Sequence, residues 1–286
     1  MSAIIFALIA YFGWAVGAFF ETIAARKINS YSLTFWGLLI GAAISSFYLP
    51  FAISSISGFT WGLFLLNLLL ALFFIGGIFV YYEALKIENR SLTGTIAQAF
   101  PAFTVILSIL FLGEKLNSIQ SFAIIITFIG LVLCIFDFRD ISQGKKLLNR
   151  GTALALAVSV SWGIYFAFIK LLVDKVGWFL PNYIVFLLFP LVFLVMRAKK
   201  IKLERPTVNN VFWPLIISVV LVRIAEYSYN YAITTGSVAI VAPIAGANPT
   251  LFVVLAFLFL KDPIRKQQIV GIVATLAGIV LLSFSS

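Results

Sequence analysis

The chain has no histidine and a single cysteine among its 286 residues. Without histidine it lacks the commonest metal ligand and the commonest general base near neutral pH. Triad hydrolases and His-dependent zinc enzymes are thereby disfavoured. Cys134, inside an apolar run, cannot close an intrachain disulfide and argues against a thiolate metal cluster. No metal site and no cofactor are expected. Charge is scarce as well: 10% of residues are charged against 63% hydrophobic, and the mean hydropathy is +1.13. A soluble domain is about half apolar and about a quarter charged. A water-soluble chain of this size must still cover itself with polar surface, so lipid is the solvent this composition fits. Aspartate occurs only at 137, 140, 174 and 262, near the ends of apolar runs, so the paired aspartates of an intramembrane enzyme are missing. No G-x-x-x-x-G-K-[ST] occurs, which removes ATP as a direct driver.

What is present is a series of long apolar runs. A bilayer core of about 30 Å needs about 20 residues per helical span. That ruler marks ten runs: 3–25, 31–53, 61–84, 92–112, 118–138, 151–173, 179–197, 211–233, 237–260 and 266–284. The first has no basic n-region, and Glu21 and Arg26 stand where a cleavage site would be, so it reads as a span. The net charge of +10 sits in the short connectors, which makes it an orientation signal and not a nucleic-acid face. Connectors after the odd-numbered runs carry 16 Lys and Arg, and those after runs 2, 4, 6 and 8 carry only Lys115 and Lys175. This bias places the odd connectors in the cytoplasm and both termini outside, in a multi-pass protein of the cytoplasmic membrane.

The sequence also repeats itself. At an offset of 148 residues, Trp14 falls on Trp162, Ala84 on Ala232, Pro101 on Pro249 and Gly130 on Gly278. Leu110-Phe111-Leu112 falls on Leu258-Phe259-Leu260, Glu114 on Asp262 and Phe136 on Phe284. Two units are expected, 1–138 and 151–286, joined by a basic connector at 139–150. Each has five runs, an odd number, so the second enters the membrane from the opposite side. The fold class expected is an all-α membrane protein of ten transmembrane helices, arranged as two inverted five-helix repeats around a central cavity.

The stretch YYEALKIENRSLTGTIAQAFPAFTVILSILFLGEKLNSIQSFAIIITFIGLVL (81–133) resembles the EamA repeat of the drug/metabolite transporter superfamily. The features that carry the likeness are the Ala-Leu ending run 3, the proline within run 4, LFLGE at its close and a glycine late in run 5. The copy at 230–282 is similar, but has Lys261-Asp262-Pro263 where the pattern has Gly-Glu and a polar residue. The resemblance implies transport of amino acids, other metabolites, sugars or drugs. It also implies cytoplasmic termini, opposite to the charge count.

Charges inside apolar runs are the best pointers to a site. Run 8 carries Arg223 and Glu226, and at 100° per residue Tyr227 and Asn230 share their face with Tyr231 beside them. The offset maps Arg223 and Glu226 onto Ile75 and Ile78, so the stripe belongs to one half only. It could bind a zwitterion, or neutralise itself as a structural pair. Trp14 and Trp162, at equivalent positions, suit cavity walls or gates, or interfacial anchors. Gln98 lies one turn before Pro101 and Asn248 directly before Pro249; proline-freed carbonyls there could face a ligand or merely mark kinks. Glu226, then Glu21, are the candidate coupling carboxylates, with a proton as the candidate ion. Lys170 reads as a snorkelling side chain and Glu83 as interfacial. The function expected is a secondary transporter or facilitator for a small metabolite, an amino acid or similar compound. A sugar, nucleoside or drug permease of the same fold and a passive channel are the alternatives. Its partners would be substrate and lipid, as a monomer or weak dimer, with no enzymatic activity.

Overall fold

A computed structural model of the chain describes residues 1–87, 96–135, 150–207 and 211–285. Connector residues 139–149, Arg90 and the start of the fourth apolar run lie outside the described residues. The described residues form helices and turns, with no strand among them. In order they are α1 (Ser2–Ala25), α2 (Ser30–Ser46), α3 (Leu49–Ile56), α4 (Trp61–Ile87), α5 (Phe100–Phe111) and α6 (Ser118–Ile135). The second half supplies α7 (Arg150–Val176), α8 (Leu180–Phe186), α9 (Phe189–Ala198) and α10 (Trp213–Thr235). It closes with α11 (Val238–Gly246), α12 (Asn248–Leu255), a π turn at Ala256–Leu260 and α13 (Lys266–Phe284).

Every apolar run of the sequence holds helix. Among the described residues, seven stretches are long and apolar enough to cross a membrane: α1, α4, α6, α7, α8 with α9, α11 through the π turn, and α13. The α2–α3 pair, bent by 86°, makes an eighth if it is one span. The other two runs fall short for different reasons. α5 has only 12 residues. α10 has 23 but carries Arg223, Glu226 and a polar C-terminal half, which lower its hydropathy. Large apolar side chains such as Phe12, Ile125, Val273 and Leu276 point outward, as a lipid-facing surface requires.

Breaks occur where proline removes a backbone donor. Pro101 stands at the second position of α5 and Pro249 at that of α12; each follows a non-helical cap, Ala99 and Ala247, with nearly identical backbone angles. The carbonyls these prolines free are taken up within the protein. Ala97 O accepts from Ser159 Oγ at 3.2 Å, and Ala245 O accepts from Asn248 Nδ2 at 3.3 Å.

Without a hydrophobic drive between helices in lipid, close packing needs small residues at the seams. α6 and α13 meet in such a seam. A Cβ on Gly271 would stand 2.6 Å from both Cys134 N and Gly130 O, so only glycine permits this approach. The seam is reciprocal at the 148-residue offset: Gly130 abuts Thr275, and Gly278 abuts Thr127. The same exchange holds elsewhere. Ser161 Oγ donates to Phe73 O at 2.7 Å, while the equivalent Gly13 backs onto Leu221 O. Tyr165 packs on Phe74 with ring centroids 4.7 Å apart, and the equivalent Gly17 backs onto Val222. Gly113 and Lys261, also equivalent, both adopt left-handed backbone (φ of 70° and 58°).

Candidate functional site

A cavity of about 320 Å³ opens among α1, α2, α4, α7 and α10, with the start of α5 and of α12 at its edge. Its lining comes from the C-terminal parts of α1 and α4, the N-terminal parts of α2 and α10, and the middle of α7. It therefore lies toward the end of the bundle where α1 runs into Arg26 and Lys27, and where the basic stretch after α9 leads into α10. Aromatic walls predominate. Trp162 is fixed by Nε1–H donating to Phe74 O at 3.2 Å, and it seats on Gly77, where a Cβ would stand 2.6 Å from Nε1. Trp14 packs edge-on against Phe166 at 5.4 Å. Tyr81 and Tyr82 complete the wall with Phe74 and Phe100.

Three charges enter this apolar chamber: Glu21, Arg223 and Glu226. Arg223 Nη1 lies 3.1 Å from Glu226 Oε2, one helical turn along α10. The guanidinium also sits 4.0 Å from the Phe186 ring centroid, a cation–π contact, and its stem runs over Gly41. Glu226 is buried, 7% exposed. Glu21 is exposed and lines the same cavity, and among the described residues no hydrogen bond or ion pair holds its carboxylate. Two acids against one base leave the chamber with a net charge of −1 when all three are ionised.

The cavity gathers Arg223, Glu226, Glu21, Trp14, Trp162, Gln98 and Asn248. It does not gather Tyr227, Asn230 or Tyr231, although they share a helix face with the charged pair. Tyr227 stacks on Phe179 at 5.2 Å and meets Trp178 at 5.5 Å. Asn230 Nδ2 donates to Trp178 O at 2.9 Å, and Tyr231 packs on Phe6 at 4.3 Å. With Tyr48 and Tyr183 these rings close the bundle beyond the cavity. For Asn230 and Tyr231 the reason is axial: each residue advances a helix by about 1.5 Å, so α10 passes out of the chamber into the aromatic seal within one or two turns of Glu226. Tyr227, the next residue after Glu226, turns instead toward Phe179 and Phe186.

The remaining singled-out charges lie elsewhere. Lys170 Nζ donates to Asp174 Oδ1 at 2.7 Å and to Ile233 O at 2.9 Å, in the last two turns of α7. Glu83 pairs with Lys199 at 2.5 Å and Lys86 at 3.2 Å and accepts from Tyr31 Oη at 3.1 Å. Sequence reasoning missed Tyr81, Tyr82, Thr34 and Ser218. The adjacent tyrosines near the end of a span were the signal available. Outside the cavity, Glu114 accepts from Val238 N and Ala239 N, both at 2.7 Å, and from Ser237 Oγ at 2.8 Å. A carboxylate from one half thus caps a helix of the other, where free N–H groups and the helix dipole favour it.

Comparison with known proteins adds to this geometry. The model of the EamA-like transporter family matches twice, over residues 1–136 and 149–284. An uncharacterized protein of Methanocaldococcus jannaschii is 32% identical over 142 residues, covering 49% of this chain and all of that protein. An uncharacterized transporter of Archaeoglobus fulgidus is 23% identical over 99% of this chain and 98% of its own. A second uncharacterized transporter, from Clostridium kluyveri, is 27% identical over 63% of this chain and 58% of its own. A solved crystal structure superposes with a TM-score of 0.83 at 18% identity, covering 99% of this chain and 96% of the other.

Proposed function

Because the chain belongs to the EamA-like transporter family and is a multi-pass membrane protein, we propose that it is a secondary carrier that binds a small polar or amphipathic metabolite, an amino acid or similar compound, in the charged aromatic chamber. The observation that carries this reading is the chamber itself: about 320 Å³, roughly the lower end of known ligand pockets, with Glu21, Arg223 and Glu226 set in otherwise apolar walls. Charges at that depth are costly and persist where water and a ligand reach them. A zwitterion would put its cationic group at Glu21 and its anionic group against Arg223, with its apolar body on Trp14 and Trp162.

The same reading takes the ten apolar runs as ten spans in two inverted units. The reciprocal contacts support it: when i meets j+148 and i+148 meets j, the two copies are related as partners across a two-fold axis. Five spans per unit put that axis in the membrane plane. A relative whose whole length corresponds to one half of this chain fits duplication as the origin. Rocking of the halves about the axis exposes the chamber to each side in turn. The Lys and Arg bias makes the present opening cytoplasmic. A proton, taken by Glu21 or Glu226, is the candidate coupling ion in the cytoplasmic membrane, and no chemical step on the substrate is involved. A passive channel is disfavoured by the aromatic seal.

Flux into proteoliposomes tests the proposal. A carrier saturates with substrate and shows counterflow of labelled against unlabelled compound across a panel of amino acids, sugars, nucleosides and cationic drugs. Flux that rises linearly without counterflow, or a chemically altered substrate, refutes it.

A further inference from the structure

Rings form a continuous arc in the wall of the chamber. Between ring centroids, Tyr81 lies 5.8 Å from Trp162, Trp162 lies 6.1 Å from Phe100, Phe100 lies 4.9 Å from Phe166, and Phe166 lies 5.4 Å from Trp14. All five residues line the cavity. The faces of such rings carry partial negative charge and attract a cation. Beside the arc stands Glu21. It shares a stripe of α1 with Trp14, about two turns away. Its carboxylate lies within electrostatic reach of Tyr81, Tyr82, Arg223 and Glu226.

Neutral polar groups in this wall are engaged with the protein. Tyr82 Oη donates to Ser30 O at 3.0 Å and is hydrogen-bonded with Thr34 Oγ1, and Trp162 Nε1 donates to Phe74 O at 3.2 Å. A primary ammonium brings three N–H donors, and beside Glu21 it would meet one carboxylate and otherwise mostly rings. A fully methylated ammonium brings no donor. It keeps the charge that Glu21 balances, and its methyl groups lie on ring faces. Across the chamber Arg223, whose Nη1 pairs with Glu226, has further N–H donors for a carboxylate. We propose that the chamber selects a zwitterion whose cationic group is a quaternary, N-methylated ammonium, seated against Glu21 and the Tyr81–Trp162 end of the arc, with its carboxylate at Arg223. This rests on the carrier reading above and narrows its amino acid-like substrate to the methylated members of that class.

The test measures binding to the purified full chain in detergent by calorimetric titration. The probes are glycine, N,N-dimethylglycine and glycine betaine, the longer pair γ-aminobutyrate and its N-trimethyl form, and phenylalanine. A further probe, 3,3-dimethylbutanoate, replaces the quaternary nitrogen of glycine betaine by carbon. Affinity is expected to rise with methylation, by at least about tenfold, about 1.4 kcal/mol, from the unmethylated to the trimethyl compound of one chain length. The carbon isostere should not bind. Glu21→Gln should weaken the trimethyl compound by about tenfold or more, with the melting temperature of the unliganded protein kept. The proposal is overturned if neither trimethyl compound binds, if glycine, γ-aminobutyrate or phenylalanine binds as tightly, if the carbon isostere matches glycine betaine, or if Glu21→Gln changes nothing. Proteoliposome counterflow with the same compounds separates this from the underlying reading. Saturable counterflow of phenylalanine or an unmethylated compound alone keeps the carrier and discards the methyl selectivity. Absence of saturable flux for these and for the wider panel of sugars, nucleosides and cationic drugs removes both.

Discussion

The open and closed ends of this bundle are built from equivalent backbone positions and filled differently. Arg223 and Glu226 face the chamber; of their counterparts, Ile75 is packed in the apolar interior and Ile78 supplies an apolar part of the same chamber wall. One end is held apart by charge and aromatic walls, the other packed shut by Tyr48, Trp178, Phe179 and Tyr227. Equivalent scaffolds with unequal contents are what the proposed two-faced carrier would need for an asymmetric ligand. The α6–α13 seam, by contrast, is alike on both sides, with Gly130 on Thr275 and Gly278 on Thr127.

The comparison can be broken most severely at a shared seam. Gly271→Leu forces a side chain into the backbone of α6, and overpacking of this kind costs about 3 kcal/mol or more. Loss of monodisperse folded protein in detergent is the expected outcome, and an unchanged melting temperature would refute the seam. Next comes the charged pair, which distinguishes the ends. Arg223→Gln and Glu226→Gln should each cut flux by about tenfold or more, about 1.4 kcal/mol, in protein that still inserts. The double change Arg223→Ile with Glu226→Ile, which copies the other half, should remain folded yet inactive, since replacing a buried pair by apolar residues is often neutral or stabilising. Wild-type flux in all three would remove the site.

A smaller effect should follow at a wall. Gly77→Ala places a methyl 2.6 Å from Trp162 Nε1, displacing the indole at a cost of about 1–3 kcal/mol. Its counterpart is already Ala225, so the two ends would become more alike. Tryptophan fluorescence and half-saturation should both shift, and unchanged values would mean Trp162 does not shape the chamber. Smallest, Lys261→Gly relieves a left-handed lysine where the other repeat uses Gly113. A gain of about 1 kcal/mol is expected, read as a raised melting temperature with flux unaltered.

Much of this architecture was legible in the residues. Apolar runs announced the helices, because lipid forces every backbone group to be satisfied within them. Tryptophan and proline at a fixed offset announced equivalent positions, and Trp14, Trp162, Gln98 and Asn248 do meet in one cavity. Asn230 and Tyr231 do not join them, because helical periodicity gives a residue's direction and not its depth, and Tyr227 turns to Phe179 instead. Where along α10 the chamber stops depends on which rings from α8 and its preceding turn fill the space, a matter of tertiary packing. Pro101 and Pro249 suggest carbonyls free to meet a ligand; Ser159 and Asn248 bind those carbonyls instead, partners too remote or too ordinary to flag from sequence.

The one-sided Arg223–Glu226 pair has an energetic consequence. Ile75, which occupies the position equivalent to Arg223, is 0% exposed, while the Arg223 side chain keeps 11%, so on the proposed carrier reading exchanging the roles of the halves would withdraw the guanidinium's remaining contact with water. On that reading the two unloaded orientations differ in free energy, and the vacant carrier would rest facing the side where its charges are less deeply buried. Such a carrier would rectify in the kinetic sense: half-saturation would differ between its faces, while the final concentration ratio would stay set by the driving gradient alone.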